Sequence, residues 1–139
     1  MGKMGRSMEL EIYPEESLLR VVAKGEFSLE EAKRTFLVML EAVSLYKSKK
    51  VLLDGRTVLG DPKTMERFYY GEFAAQSVSQ YQARGVSRGT PFAYVLLEPM
   101  LDPNRFGETV AVNRGMVIKV FDNSAEALVW LEAEIREGG

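Results

Sequence analysis

Asp54, Arg56, Asp61 and the Lys63-Thr64 pair stand close together in the stretch Lys49 to Met65, KKVLLDGRTVLGDPKTM. Their types could do chemistry: a carboxylate can exchange a proton or cap a turn, and a guanidinium can hold a carboxylate or phosphate through two parallel hydrogen bonds. A glycine-rich turn closed by Lys-Thr would cradle phosphates, and Gly55 and Gly60 are spaced like the two glycines of such a loop. That reading fails on its details. Asp61 and Pro62 intervene before Lys63, which puts a carboxylate where phosphates would sit and deletes one backbone N–H donor. Asp54 is expected to pair with Arg56 or to cap its own turn rather than to act as an acid or base.

The chain has neither cysteine nor histidine. Thiol catalysis, disulfides, thiolate zinc sites, Ser-His-Asp triads and histidine bases are therefore excluded within it, and an enzyme would have to rely on carboxylate, lysine or tyrosine chemistry. No metal or cofactor is expected. Eighteen basic residues against twenty acidic ones, a formal charge of −2, create no bulk attraction toward nucleic acid or an anionic membrane. The denser basic spots, Lys47, Lys49 and Lys50, and then Arg84 with Arg88, read as solvated connections, while Asn104, Arg105 and Arg114 form a further set that could hold an anionic ligand. No apolar segment approaches the ~20 residues that span a bilayer. Residues 1–7, MGKMGRS, lack a signal core and read as a flexible leader or cloning remnant, with residues 8–139 as one cytoplasmic domain. At 139 residues and 46% hydrophobic, one buried core is the expectation.

The elements that would position these residues follow from periodicity. Glu9 to Tyr13 and Leu18 to Lys24 alternate apolar and polar residues around Pro14-Glu15-Glu16-Ser17, which predicts an opening hairpin. Ser28 with Glu31 makes a capping box for a helix through about Tyr46, in which Leu29, Ala32, Phe36, Leu40 and Val43 share one face. Val51, Leu52 and Leu53 form a continuously apolar run, as a strand covered on both faces does, so Lys50 to Asp54 should be central. Asp61-Pro62 then starts a helix to about Gln82. Phe92 to Leu97 is the next strand, Asp102-Pro103 opens a helix that stops near Gly115, and Met116 to Phe121 is the last strand. Asn123 with Glu126 caps a closing helix through Glu134. The order β-β-α-β-α-β-α-β-α implies a single mixed sheet with helices packed on it, and in such sheets ligands and partners gather beyond the carboxyl ends of the strands.

GEFSLEEAKRTF after the hairpin, VLLDGR at the central strand and NRGMVIKVFDNSAEALVWLEAE at the end resemble the SpoIIAA-like proteins, relatives of the STAS domain of anti-sigma-factor antagonists. Gly115, Phe121, Asp122, Ala127, Trp130 and Leu131 carry the closest match, and Ala127, Trp130 and Leu131 share one helical face, so they mark a fold and not a reaction. The resemblance implies a non-enzymatic regulatory or interaction domain. In antagonists of that kind a serine at the start of the helix after the central strand is phosphorylated to switch partner binding. Orphan N–H groups and partial positive charge at a helix start suit that chemistry. Here no serine is present in the region, Thr57 and Thr64 are its only hydroxyls, and Asp61 is expected at the cap as a fixed negative charge. Asp54, Arg56, Thr57, Asp61 and Thr64 are thus the candidate binding or switch loop.

The helix from Met65 to Gln82 carries two apolar stripes. At about 100° per residue, Met65, Phe68, Tyr69 and Ala75 gather on one side and Tyr70, Ala74, Val78 and Tyr81 nearly opposite. The sheet can cover one stripe, and the other requires a neighbouring helix, a second subunit or a hydrophobic ligand. Phe68, Tyr69, Tyr70, Phe73, Val78 and Tyr81 are therefore the candidate interface or ligand-facing residues. The leading function is interaction with a protein partner or a second copy of the chain in a homodimer. The alternative is a carrier of a small hydrophobic molecule or lipid, which a cavity of ~300 Å³ or more beneath Phe68, Tyr69 and Phe73 would favour.

Overall fold

The computed structural model describes residues 7–138. The leader expected over residues 1–7 lies outside the described residues except for Ser7. The backbone of Ser7 and Met8 crosses Gly25 so closely that no Cβ would fit there, and Met8 is buried.

The order of elements is the expected one. Strands β1 (Glu9–Pro14) and β2 (Leu18–Glu26) form the hairpin, followed by α1 (Leu29–Tyr46), β3 (Lys50–Leu59), α2 (Thr64–Gln80), a 3-10 turn (Tyr81–Arg84), β4 (Phe92–Val95), α3 (Phe106–Asn113), β5 (Ile118–Phe121) and α4 (Ser124–Gly138). The five strands lie in the order β1-β2-β3-β4-β5, with β1 antiparallel to β2 and every other neighbour parallel. Three successive crossovers stepping the same way across a sheet with the same hand deliver their helices to one face. Accordingly α1, α2 and α3 contribute Phe36, Val78 and Ala111 to the larger apolar cluster, together with Val51, Leu53, Phe92 and Tyr94 from the strands. Helix α4 covers the other face, where Ala127 and Leu131 meet Leu18, Leu52, Ala93, Val95 and Phe121. This arrangement explains the unbroken apolar run of β3: Val51 and Leu53 enter one layer and Leu52 the other.

Local signals account for both long outer helices. The Glu31 N–H donates to Ser28 Oγ at 3.2 Å at the start of α1, and the Glu126 N–H donates to Asn123 Oδ1 at 2.9 Å before α4. Elsewhere the boundaries move. Strand β3 continues to Leu59, well beyond Asp54, because β2 is long enough to pair with it: Lys24, Gly25 and Glu26 lie opposite Thr57, Val58 and Leu59. Between Val22↔Asp54 and Lys24↔Thr57 the β3 strand carries one extra residue, a bulge at the Gly55-Arg56 position. Helix α3 starts at Phe106 and not at Pro103, since the Asp102 carboxylate first accepts the N–H groups of Asn104 and Phe106 at 3.0 and 2.8 Å in a turn of its own.

Candidate functional site

The stretch read as a switch loop is mostly strand. Asp54, Arg56 and Thr57 sit in the bulged continuation of β3, so only Gly60, Asp61, Pro62 and Lys63 bridge to α2. Within the bulge the Arg56 N–H and Nε donate to Asp54 Oδ1 at 3.1 and 3.0 Å, and Nη2 donates to Oδ2 at 2.8 Å. This is the pairing expected for Asp54. The guanidinium holds the Asp54 carboxyl below its ordinary range, a carboxylate fixed as an anion and unsuited to taking a proton near neutrality. Thr57 is exposed and its Oγ1 donates only a long, 3.4 Å hydrogen bond to the Ala23 carbonyl.

Asp61 does not cap α2. Its side chain is 80% exposed, 3.9 Å from Arg67, whereas the cap residue is Lys63, whose N–H donates to Glu66 Oε1 at 2.8 Å. Thr64 is the first helical residue and is exposed. A glycine at φ +139°, Gly60, lets the chain leave β3 and run extended past Pro62 before the helix turns, so the Asp61-Pro62 start signal falls short of the helix.

Both stripes of α2 find partners, one of them only in part. On the sheet side Ala74 and Val78 are buried, and Tyr70 packs edge-on against Phe36. Tyr81 is engaged within the fold: its hydroxyl donates to Glu41 Oε2 at 2.6 Å, and Arg84 lies over its ring while also pairing with Glu41. Phe73 is partly buried with Lys33 over its ring. On the opposite side α3 approaches so closely that a Cβ on Gly71 would lie 2.5 Å from the Gly107 carbonyl oxygen. Phe68 stacks on Phe106 with centroids 6.4 Å apart, and the Arg114 guanidinium lies over the Phe68 ring at 5.4 Å from its centre. Met65 and Tyr69 remain 55% and 43% exposed, one turn apart, and Tyr69 meets Phe68 edge-on. Tyr69, Phe68 and Phe106 thus form a chain of ring contacts at the start of α2 and α3, with Met65 exposed one turn before Tyr69.

Between the sheet and α1, α2 and α3 is an apolar cavity of about 130 Å³, partly open and lined by Phe36, Met39, Leu53, Ala74 and Ala111. It lies under Tyr70 rather than beneath Phe68, Tyr69 and Phe73, and its volume is smaller than the ~300 Å³ of ordinary ligand pockets. Two residues decisive for it were not singled out from the sequence. Tyr94, on β4, brings its hydroxyl to 2.5 Å from that of Tyr70 inside the cavity. Its only sequence signal is a phenol in the otherwise wholly apolar strand Phe92–Val95, where a buried hydroxyl must find a partner. Arg67, on α2, donates to the Met100 and Pro99 carbonyls at 2.8 and 2.9 Å, tying the helix to the β4–α3 connection at the cavity edge. Burial pushes both tyrosine hydroxyls above their ordinary pKa. Arg105 also lines the cavity, donating to the Asp102 carbonyl, while Arg84, Arg88 and Arg114 do not converge with it on one centre.

No protein-family model and no curated protein matches the sequence. Among solved structures the chain is similar to an anti-sigma factor antagonist from Mycobacterium paratuberculosis, with 13% identity and a TM-score of 0.60 over 91% of this chain and 95% of that one. The fold is that of an anti-sigma factor antagonist. An uncharacterised protein with a SpoIIAA-like fold from Shewanella loihica aligns over 94% of this chain and 98% of its own, at 13% identity and a TM-score of 0.49. The resemblance to anti-sigma-factor antagonists carried by Gly115, Phe121, Ala127, Trp130 and Leu131 is borne out for the architecture by the Mycobacterium structure. Among the described residues no helix is long and apolar enough to cross a membrane.

Proposed function

We propose that residues 8–139 act as a non-enzymatic regulatory domain that docks a protein partner through the aromatic face of Met65, Phe68, Tyr69 and Phe106. The observation that carries this reading is the exposure of Met65 and Tyr69 beside two stacked rings, on a helix whose other side is buried. Clustered aromatics with methionine are the composition of interface centres. The fold of an anti-sigma factor antagonist, whose name describes action on a protein, supports the same class of partner. Thr64 stands next to Met65 at the first position of α2, where a phosphate would meet free N–H groups and put two negative charges against the aromatic face. Thr64 is the hydroxyl we assign to such a switch, in preference to Thr57.

Native mass spectrometry of the protein purified from its own host, beside a Met65→Glu/Tyr69→Glu variant, tests the docking face. The wild type is expected to carry a stoichiometric partner, a different protein or a second copy, and the variant to run as a single chain with an unchanged circular dichroism spectrum. A wild type that is always a lone chain, or a variant that keeps its partner, sinks the proposal.

A second reading has its own observation, the apolar cavity under Tyr70 and Tyr94. Its 130 Å³ suits a small molecule and not a lipid chain, so the carrier reading narrows to small-ligand binding.

A further inference from the structure

We propose that the cavity between the sheet and α1, α2 and α3 binds a neutral organic molecule of about six to ten non-hydrogen atoms, an apolar body bearing one acceptor oxygen, which the Tyr70–Tyr94 hydroxyl pair holds. The inference rests on the small-ligand reading and names its chemical class.

Size sets the body of the ligand. A cavity of about 150 Å³ lined by aliphatic and aromatic side chains takes up benzene, and this one measures about 130 Å³ with a wall that is mostly aliphatic and aromatic. Hydrogen bonding sets the rest. Two phenols carry two O–H protons, and the 2.5 Å contact between Tyr70 and Tyr94 uses one of them. Neither hydroxyl makes another hydrogen bond among the described residues, so whichever donates to the other, the second proton has no acceptor in the protein. The other polar side chains of the lining each make at least one hydrogen bond within the protein. Thr35 Oγ1 donates to the Ala32 carbonyl, Arg67 to Pro99 and Met100, and Arg105 to Asp102, while Glu66 accepts the Lys63 N–H and Glu108 accepts the Val120 N–H. The cavity thus offers one unanswered donor in an apolar wall, which a carbonyl or ether oxygen satisfies. A carboxylate beside the two phenols would lose its hydration among Phe36, Met39 and Leu53, and the Arg67 and Arg105 guanidinium groups of the lining are held on the Met100, Pro99 and Asp102 carbonyls, which selects a neutral ligand. Since burial raises both phenols, the donor stays protonated across the physiological range.

Acetophenone and ethylbenzene, nearly the same shape with and without the acceptor, are the probes. Calorimetric titration is expected to show both binding the wild type, and a Tyr70→Phe/Tyr94→Phe variant to weaken acetophenone about tenfold while shifting ethylbenzene less than twofold, a difference worth one good hydrogen bond. An Ala111→Leu variant, which fills the cavity, is expected to abolish both. The carbonyl stretch of acetophenone bound to the wild type should lie lower than in cyclohexane, a readout that needs no variant. Equal effects of the double substitution on both probes, or a stretch equal to that in cyclohexane, overturn the acceptor assignment and leave the small-ligand reading standing. Binding of neither probe, or binding that survives Ala111→Leu, overturns both.

Discussion

At the scale of single residues, the Tyr70–Tyr94 pair makes a quantitative forecast about stability. Replacing either tyrosine by phenylalanine strands the other hydroxyl in the cavity wall with no protein acceptor, and a buried polar group left so costs about 1–3 kcal/mol. Replacing both removes donor and acceptor together and keeps the rings. Urea unfolding of the two single variants and the double should therefore give a double cost well below the sum of the singles, with a coupling of about 1 kcal/mol or more. Additive costs would mean that the hydroxyls do not depend on each other. Ser48 provides the complementary case, because its Oγ is buried and makes no hydrogen bond. Ser48→Ala should leave stability unchanged or raise it by up to about 1 kcal/mol, and a loss in the same assay would contradict the packing around it.

Among the elements, the closest approach is that of α2 and α3 at Gly71. A methyl group there meets the Gly107 carbonyl oxygen at 2.5 Å, a backbone atom that cannot swing aside, so Gly71→Ala must push α3 away and loosen the Phe68–Phe106 stack. A loss of about 1–3 kcal/mol in thermal or urea unfolding is expected, although alanine is the better helix former by about 1 kcal/mol and would otherwise stabilise an exposed position. This crossing also marks the limit of what could be read from the chain. Helices α1 and α4 were legible because Ser28 with Glu31 and Asn123 with Glu126 are local signals that the structure uses as caps. The length of β3 was not, because Asp54-Gly55-Arg56 has the composition of a turn and becomes a bulge only when Lys24, Gly25 and Glu26 of a distant strand pair beyond it. The start of α2 departs from its local signal for a related reason. Asp61-Pro62 is a start signal by composition, but the conformation of Gly60 delays the helix until the Lys63 cap is reached. Of the candidate site, the shared stripe of Met65, Phe68 and Tyr69 is legible from helical spacing but its exposure is not, and the cavity left no trace in the sequence, since a void is a property of three helices and a sheet meeting imperfectly. Tyr94 and Arg67 acquire roles only from that meeting.

For the molecule as a whole, the absence of histidine and cysteine removes every side chain that ordinarily titrates around neutrality, and the remaining shifted groups lie at the two ends of the pH scale. On the acid side, the side-chain hydrogen bond from Arg56 lowers Asp54 and that from Lys24 lowers Glu11, while at Asp102 burial pushes up and donation from the Phe106 and Asn104 N–H groups outweighs it. A carboxyl held lower in the folded chain contributes stability above its unfolded pKa, near 4, and loses it as the pH falls through the folded value. On the alkaline side, burial raises Tyr70 and Tyr94, so the unfolded chain gives up these protons first, from about pH 10. Their contribution is complete below that pH and drains away above it. Lys24, raised by Glu11, adds in the same direction. Unfolding free energy measured by urea titration at successive pH values should accordingly form a plateau from about pH 5 to about pH 9, with shoulders on both sides. The shoulders have different owners: Asp102→Asn should soften the acid fall while costing part of the turn before α3, and Tyr70→Phe/Tyr94→Phe should delay the alkaline fall and leave the acid one in place. A slope inside the plateau, or an alkaline fall indifferent to the tyrosine pair, would show that the buried phenols are not the groups that set the upper edge.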